Sequence, residues 1–319
     1  MATRRLLLAL SLLAAPALAQ RPAGFPNRPI RLVVPFAPGG NSDTLARLIQ
    51  PRMAAFLGQQ IVVENRSGAG GAIGAAQVVQ APADGHTLLF DSASFVVAQF
   101  INRNLSFDYE RDFAPVGTVA DVPYLLGVAR GRGITDVASF LAAARAAPGG
   151  LSYGSPGVGS IGHLAGVMLA HRAGGVRLEH VPYRGGAEAA RDLAAGTLDA
   201  AIISGNSLNP LVEGGRAVIV GTTNAAGIGA HPSIASQGFS GFDVTSWNAL
   251  FCRAGTPEPI RRTLEEAVNH ATSDAEVRAR YAAAGAEATP AEADALAARL
   301  VRERALVRDL IRETGITLG

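Results

Sequence analysis

The sequence predicts an α/β protein of two domains built on a largely parallel sheet, and three observations carry that reading. Short apolar runs rich in β-branched residues alternate with stretches of helical period along most of the chain. Those runs lack polar alternation, the mark of strands covered on both faces and hence of a largely parallel sheet. The length, 319 residues, provides for two cores at about 150 residues per domain.

The first element in order is a leader. Arg4 and Arg5 form a basic start, Leu6 to Ala15 is apolar apart from Ser11, and Ala17-Leu18-Ala19 is a small-x-small cleavage site. Residues 1–19 therefore read as a signal peptide cleaved near Ala19, too short to anchor in a bilayer. Thr3-Arg4-Arg5-Leu6 loosely resembles a twin-arginine signal, so the export route stays open between the two systems. The mature protein is expected to be exported.

The strands follow. Ile30 to Pro35, Ile61 to Glu64 and Thr87 to Asp91 are β-rich runs bounded by Gly, Pro and Asp, and similar runs recur at 124–129, 176–181, 198–204 and 217–221. Leu151-Ser152-Tyr153 is a weaker one. Between them, Leu45, Leu48, Ile49 and Phe56 share a helical stripe in which Pro51 is expected to cause a kink. Leu164, Val167 and Met168 make a second stripe that stops at Gly174-Gly175. The C-terminal third is helical. Thr256-Pro257 reads as an N-cap with a proline at the first helical position. Ser273-x-x-Glu276 and Thr289-Pro290-Ala291-Glu292 read as capping boxes, with Gly285 and Gly315 as stops. Leu296, Leu300, Val307, Leu310 and Ile311 share one face of the last helix.

Composition narrows the function. All 28 basic residues are Arg, against 26 acidic ones. Removing Arg4 and Arg5 with the leader makes the mature chain formally neutral. No basic stripe is visible, so nucleic acid is not an expected partner. Charged residues at 17% and apolar ones at 48% exclude general disorder, and the lone Cys252 excludes a disulfide scaffold. No Gly-x-Ser-x-Gly elbow, Cys-x-x-Cys pair or His-Glu-x-x-His occurs, and the six His are scattered, so neither hydrolase nor metal chemistry has a motif.

Two glycine-rich turns carry what remains. The first runs Pro35-Phe36-Ala37-Pro38-Gly39-Gly40-Asn41-Ser42-Asp43; the second runs Tyr153-Gly154-Ser155-Pro156-Gly157-Val158-Gly159-Ser160-Ile161-Gly162-His163. Each joins a strand to a helix, where open α/β sheets bind ligands. A helix start offers unpaired N–H groups and about half a positive charge, and glycine lets an oxygen come close. Two such turns suit a cleft in which both lobes grip one anion. Gly157-x-Gly159-x-x-Gly162, with Glu179 at the end of the next strand, also fits a dinucleotide fingerprint, which leaves an exported NAD-type oxidoreductase as an alternative.

The motif set resembles one family. Arg28-Pro29-Ile30-Arg31-Leu32-Val33-Val34-Pro35-Phe36-Ala37-Pro38-Gly39-Gly40 with Asp43, Val62-Val63-Glu64-Asn65-Arg66-Ser67-Gly68, Asp84-Gly85-His86-Thr87, Val181-Pro182-Tyr183-Arg184-Gly185 and Ser246-Trp247 are similar to the substrate-binding proteins of tripartite tricarboxylate transporters, the Bug proteins. The resemblance implies a periplasmic binding protein-like α/β fold of two doubly wound lobes with a hinged cleft between them: lobe 1 from residues 20–122 plus 246–319, lobe 2 from 123–245. It implies capture of a small di-, tricarboxylate or aromatic acid by a monomer, without catalysis or cofactor, for membrane permease subunits; a sensor as the downstream partner remains the other possibility. By position it places Ala37, Gly39, Gly40, Asn41, Ser42 and Asp43 opposite Ser155, Gly159, Ser160 and His163 around the ligand. Ser92, Ser94, Asp199 and Ser204 are secondary candidates. Trp247 falls near the hinge, as core or as a ligand-stacking ring.

Overall fold

The computed structural model describes residues 24–102, 104–289 and 292–315; the expected signal peptide lies outside the described residues. The chain opens with β1 (Ile30–Val34), α1 (Asn41–Leu57), β2 (Ile61–Asn65), α2 (Ala72–Gln80), β3 (Thr87–Ser92) and α3 (Ser94–Ile101). A 17-residue strand, β4 (Phe113–Ala129), follows. Then come α4 (Val137–Ala146), β5 (Leu151–Ser155), α5 (Ile161–Arg172), β6 (Leu178–Pro182), α6 (Gly186–Ala195), β7 (Ala200–Ser204), α7 (Gly205–Glu213) and β8 (Ala217–Thr222). The chain returns through β9 (Thr245–Arg253) and ends in α8 (Glu258–Ser273), α9 (Ala275–Ala283), β10 (Glu287–Ala288) and α10 (Ala293–Thr314).

The strand order is β2-β1-β3-β9-β4-β7-β5-β6, with β8 and β10 also on β4. The two wings are parallel, β1 pairing with β2 and β3, and β5 with β6 and β7. The strands between them are antiparallel, which corrects the expectation of a largely parallel sheet. The reason lies in β4 itself. Its first part, Phe113 to Pro123, pairs with β9, and from Tyr124 onward it pairs with β7 and β8. One strand thus serves both lobes. Its register shifts twice, at Pro115/Gly117 and at Thr118/Ala120, which bends and twists the ladder before the crossing.

Burial explains the elements. Ile30, Leu32, Val33 and Val34 of β1 are fully covered, as are Leu88, Leu89 and Phe90 of β3. Both strands therefore sit inside a helix–sheet–helix sandwich and need no polar face. α1 presents Leu45, Ala46, Ile49 and Met53 to that core and remains one helix across Pro51, which lies on its exposed side. Trp247 is fully buried and its indole N–H donates to Glu303 at 2.8 Å, so it belongs to the core. Burial raises the Glu303 carboxyl even though Arg299 and Trp247 oppose it. Arg299 also bonds Asp121 of β4, so α10 clamps both crossing strands from outside.

Two helix starts in the C-terminal third fall one residue from the expected cap. Pro257 itself takes the N-cap position of α8, and the Thr256 hydroxyl donates to the Arg253 carbonyl at 2.7 Å. Asp274 rather than Ser273 caps α9, accepting from the N–H groups of Glu276 and Val277. Of the Thr289–Glu292 box, residues 290 and 291 lie outside the described residues. Gly285 and Gly315 stand after α9 and α10 with φ of 70° and 63°, as their role as stops requires.

Candidate functional site

The first turn is held by its own helix. Gly39 has φ +77°, Gly40 is the N-cap of α1, and no side chain caps the helix. The Gly39 N–H donates to Asp43 Oδ2 at 2.8 Å. Asp43 also accepts from Arg47 Nε and Asn65 Nδ2, both at 2.9 Å. Burial alone would raise this carboxyl; the bonds from Arg47, Gly39 and Asn65 outweigh it and hold the group below its ordinary value. Asn248 of β9 reaches across to the same helix start, donating to Ser42 Oγ at 2.8 Å and accepting from Asn41 at 3.3 Å.

The second turn repeats the device. Gly159 has φ +75° and its N–H donates to His163 Nδ1 at 3.1 Å. In both turns, therefore, a left-handed glycine just before the N-cap is braced by the third residue of the helix. An accepting Nδ1 requires a neutral ring with its proton on Nε2. The surroundings enforce neutrality: burial pushes the imidazole of His163 down to about 4. His180 stacks on it with ring centroids 3.9 Å apart and is pushed down to about 3, by burial first and by His163 second. Ser155 Oγ lies 2.7 Å from His180 Nε2. Ser160 caps α5, its hydroxyl accepting from the His163 N–H at 3.3 Å.

Between the turns lies a cavity of about 400 Å³, and five helix starts meet at its wall: α1 at Gly40, α3 at Ser94, α5 at Ser160, α6 at Gly185 and α7 at Ser204. Four of these helices, α1, α3, α6 and α7, have no side-chain cap. Ser204 Oγ donates to Asn206 Oδ1 at 2.6 Å instead of closing its helix. Each uncapped start turns N–H groups and the positive end of a dipole toward the space in front of it. Arg184 and Glu188 are the charged side chains on the wall. Such a cavity favours an anion by geometry rather than by net charge.

Beneath Ser92 and Ser94, whose hydroxyls lie 2.8 Å apart, sits Asp91. It is fully buried, accepts from the Ser92 N–H at 2.7 Å and from Ser94 Oγ at 3.4 Å, and leaves Oδ2 without a partner. Burial pushes its carboxyl up to about 7 against those two bonds.

The structure sorts the expected site residues. Ala37, Gly39, Gly40, Asn41, Ser42, Ser92, Ser94, Ser160 and Ser204 line the cavity. Asp43, Ser155, Gly159 and His163 stand behind the wall as braces. The N–H groups of Gly39 and Gly159 are committed to those braces, so the donors left facing the cavity are those of the helix starts themselves. Asp199 is elsewhere, pairing with Arg132 and accepting from Ser152. Glu179 of the dinucleotide fingerprint is exposed and off the wall. The segment Arg184–Glu188, Tyr124, Ser246 and the pair Asn206-Ser207 also line it, with Phe36, Pro38, Pro156 and Ile161. Arg184-Gly185-Gly186 was legible in principle, being a third glycine-rich junction of strand and helix. Among the described residues no cluster of His, Cys, Asp and Glu is placed to hold a metal, and no helix is long and apolar enough to cross a membrane.

A mixed α/β chain with two lobes meeting over a cleft ringed by helix starts defines the class of periplasmic solute-binding proteins. Within that class, the chain belongs to the Tripartite tricarboxylate transporter family receptor family, whose model matches residues 45–316. It is 40% identical over 266 residues to the UPF0065 protein in the tcbD-tcbE intergenic region of Pseudomonas sp. strain P51, covering 81% of this chain and 78% of the relative. A solved R. palustris protein with adipate superposes with a TM-score of 0.85 at 33% identity, covering 92% of this chain and 99% of that one. MatC from Rhodopseudomonas palustris, solved with bound malate, gives a TM-score of 0.81 at 30% identity over 90% of this chain and 100% of its own. The family is one of receptors, and MatC was solved with malate bound, which sets the oxidoreductase reading aside.

Proposed function

We propose that the protein is exported to the periplasm and captures a small organic carboxylate for the membrane permease subunits of a tripartite tricarboxylate-type transporter. The observation that carries this reading is the ring of helix starts around a cavity of about 400 Å³. A carboxylate placed there accepts from the first-turn N–H groups of α1 and from the starts of α5, α6 and α7, with the Ser92, Ser94 and Ser204 hydroxyls completing its shell. Charge-assisted bonds contribute about 1.5–3 kcal/mol each, so three or four support micromolar affinity after the entropy of association is subtracted. The solved relatives with adipate and with malate support the ligand class.

The lobe division at 122/123 and 245/246 agrees with the point where β4 changes partners, between Pro123 and Tyr124. Because the donors to the ligand are divided between lobes, binding favours the closed arrangement over the open one, and that shape is what a permease reads. The protein works as a monomer and needs no cofactor. Thermal unfolding with a panel of mono-, di- and tricarboxylates tests the reading: at least one acid raises Tm in a concentration-dependent way, and NAD(H) does not. A panel in which no acid shifts Tm refutes it.

A further inference from the structure

The cavity continues outward. Gly39, Ala187, Asn206 and Ser207 line both the cavity and an adjoining groove of about 630 Å³ between α6 and α7. Ala187, Ala190 and Ala194 follow one another at helical spacing along the α6 side, and Pro210 and Leu211 form the α7 side. The floor is thus methyl groups and short apolar side chains, wide enough for a hydrocarbon chain. Arg191 and Arg216 stand along it. Arg216 makes no ion pair among the described residues, and Arg191 reaches only Asp192, at 3.4 Å, an acid already holding the Tyr183 hydroxyl at 3.0 Å. With Arg184 at the cavity wall, cavity and groove together carry three guanidinium groups and one carboxylate, Glu188. A formally neutral chain has gathered positive charge along this one path.

We propose that the site takes an elongated organic diacid: one acid group sits at the ring of helix starts, an apolar spacer lies along α6, and the second acid meets Arg191 and Arg216. This rests on the carboxylate-binding reading above and names its ligand class. From Ala187 to Arg191 the axis of α6 rises about 6 Å, so the second acid sits at least about that far beyond the mouth of the cavity. A short hydroxydiacid ends inside the cavity and leaves both arginines untouched.

Isothermal titration of the mature protein with two homologous series decides the matter: straight-chain monocarboxylates, and α,ω-dicarboxylates from butanedioate to decanedioate. The long dicarboxylates should bind at least about tenfold more tightly than monocarboxylates of equal length. The double variant Arg191→Gln/Arg216→Gln should erase that preference and leave monocarboxylate affinity unchanged; both side chains lie on the exposed surface, so the fold is kept. Monocarboxylates binding as well as long dicarboxylates, or a preference that survives the double variant, overturns the proposal while the carboxylate reading stands. Failure of every acid in both series overturns that reading and this one with it.

Discussion

Replacing Asp91 by Asn tests how the floor of the cavity is built. Asn keeps the oxygen that accepts from the Ser92 N–H and the Ser94 hydroxyl but never ionises. In the wild type the folded carboxyl titrates at about 7, whereas the unfolded one releases its proton near 3.9. Between those values the folded chain holds a proton that the unfolded chain has lost. Stability from this group is therefore full below about pH 4 and is lost as pH rises through about 7. The whole shift corresponds to about 4 kcal/mol, of which about 2.5 kcal/mol falls between pH 5 and pH 8. Tyr109, the neighbour whose charge interaction with Asp91 is felt, is itself raised and stays protonated throughout. The buried His163–His180 pair works in the opposite sense, weakening the fold as pH falls below about 6.5, and it is common to both proteins, so it cancels in the difference. Urea unfolding followed by fluorescence of Trp247, the single tryptophan, supplies the two stability curves. Asp91→Asn should gain on the wild type by about 2.5 kcal/mol from pH 5 to pH 8. Parallel curves would show that Asp91 is solvated or paired, and the account of the floor would fall.

Other outcomes follow from the same geometry. Gly39→Val and Gly159→Val force a β-branched residue into left-handed backbone at φ +77° and +75°, costing about 1–3 kcal/mol each; titration should show acid affinity lost by at least about tenfold with the circular dichroism spectrum kept. Asp43→Ala removes the acceptor shared by Gly39, Arg47 and Asn65 and should cost about 2 kcal/mol at neutral pH. Because that carboxyl titrates below its ordinary value, the gap between wild type and variant closes as pH falls through the carboxylate range, as denaturant melts at several pH values will show. Gly162→Ala drives a methyl into the Ile202 carbonyl oxygen and against Ser155 Cβ at 3.1 Å, where backbone cannot yield cheaply; a loss of about 3 kcal/mol should appear as a lower urea midpoint at unchanged m-value.

Much of the architecture was legible because β1, β3, β7 and β8 are apolar and covered over most of their length. β1, β2, β3, β7 and β8 sit where unbroken apolar runs put them. The first part of β4 escaped notice because Pro115, Gly117, Asp121 and Pro123 interrupt it, and the register shifts that accommodate them arise from pairing with β9, a partner over a hundred residues away. β9 was hidden in turn by Asn248, a polar residue buried to serve the first turn. At the site, the two glycine-rich turns were visible, but the engagement of the Gly39 and Gly159 N–H groups by their own helices was not. Nothing in a string of residues tells that a glycine N–H is already taken. Asp43 and His163 did carry a signal, since both occupy the third helical position, from which side chains reach back to the chain before a helix. Asp199 shows the reverse case: an acid at a strand start, as open to a ligand as to Arg132 until the fold chooses.

The shared strand also constrains how the molecule can be taken apart. Separating the lobes would take two cuts, between Val122 and Pro123 and between Thr245 and Ser246, which face each other across the β4–β9 ladder. The first lobe is then not one continuous stretch of chain, and grafting it onto another receptor would require its two pieces to be joined anew. For the same reason, opening and closing must proceed as a change of coil distributed along several residues of β4 and β9. A rigid insert at any single position there would stiffen the jaw without locking it.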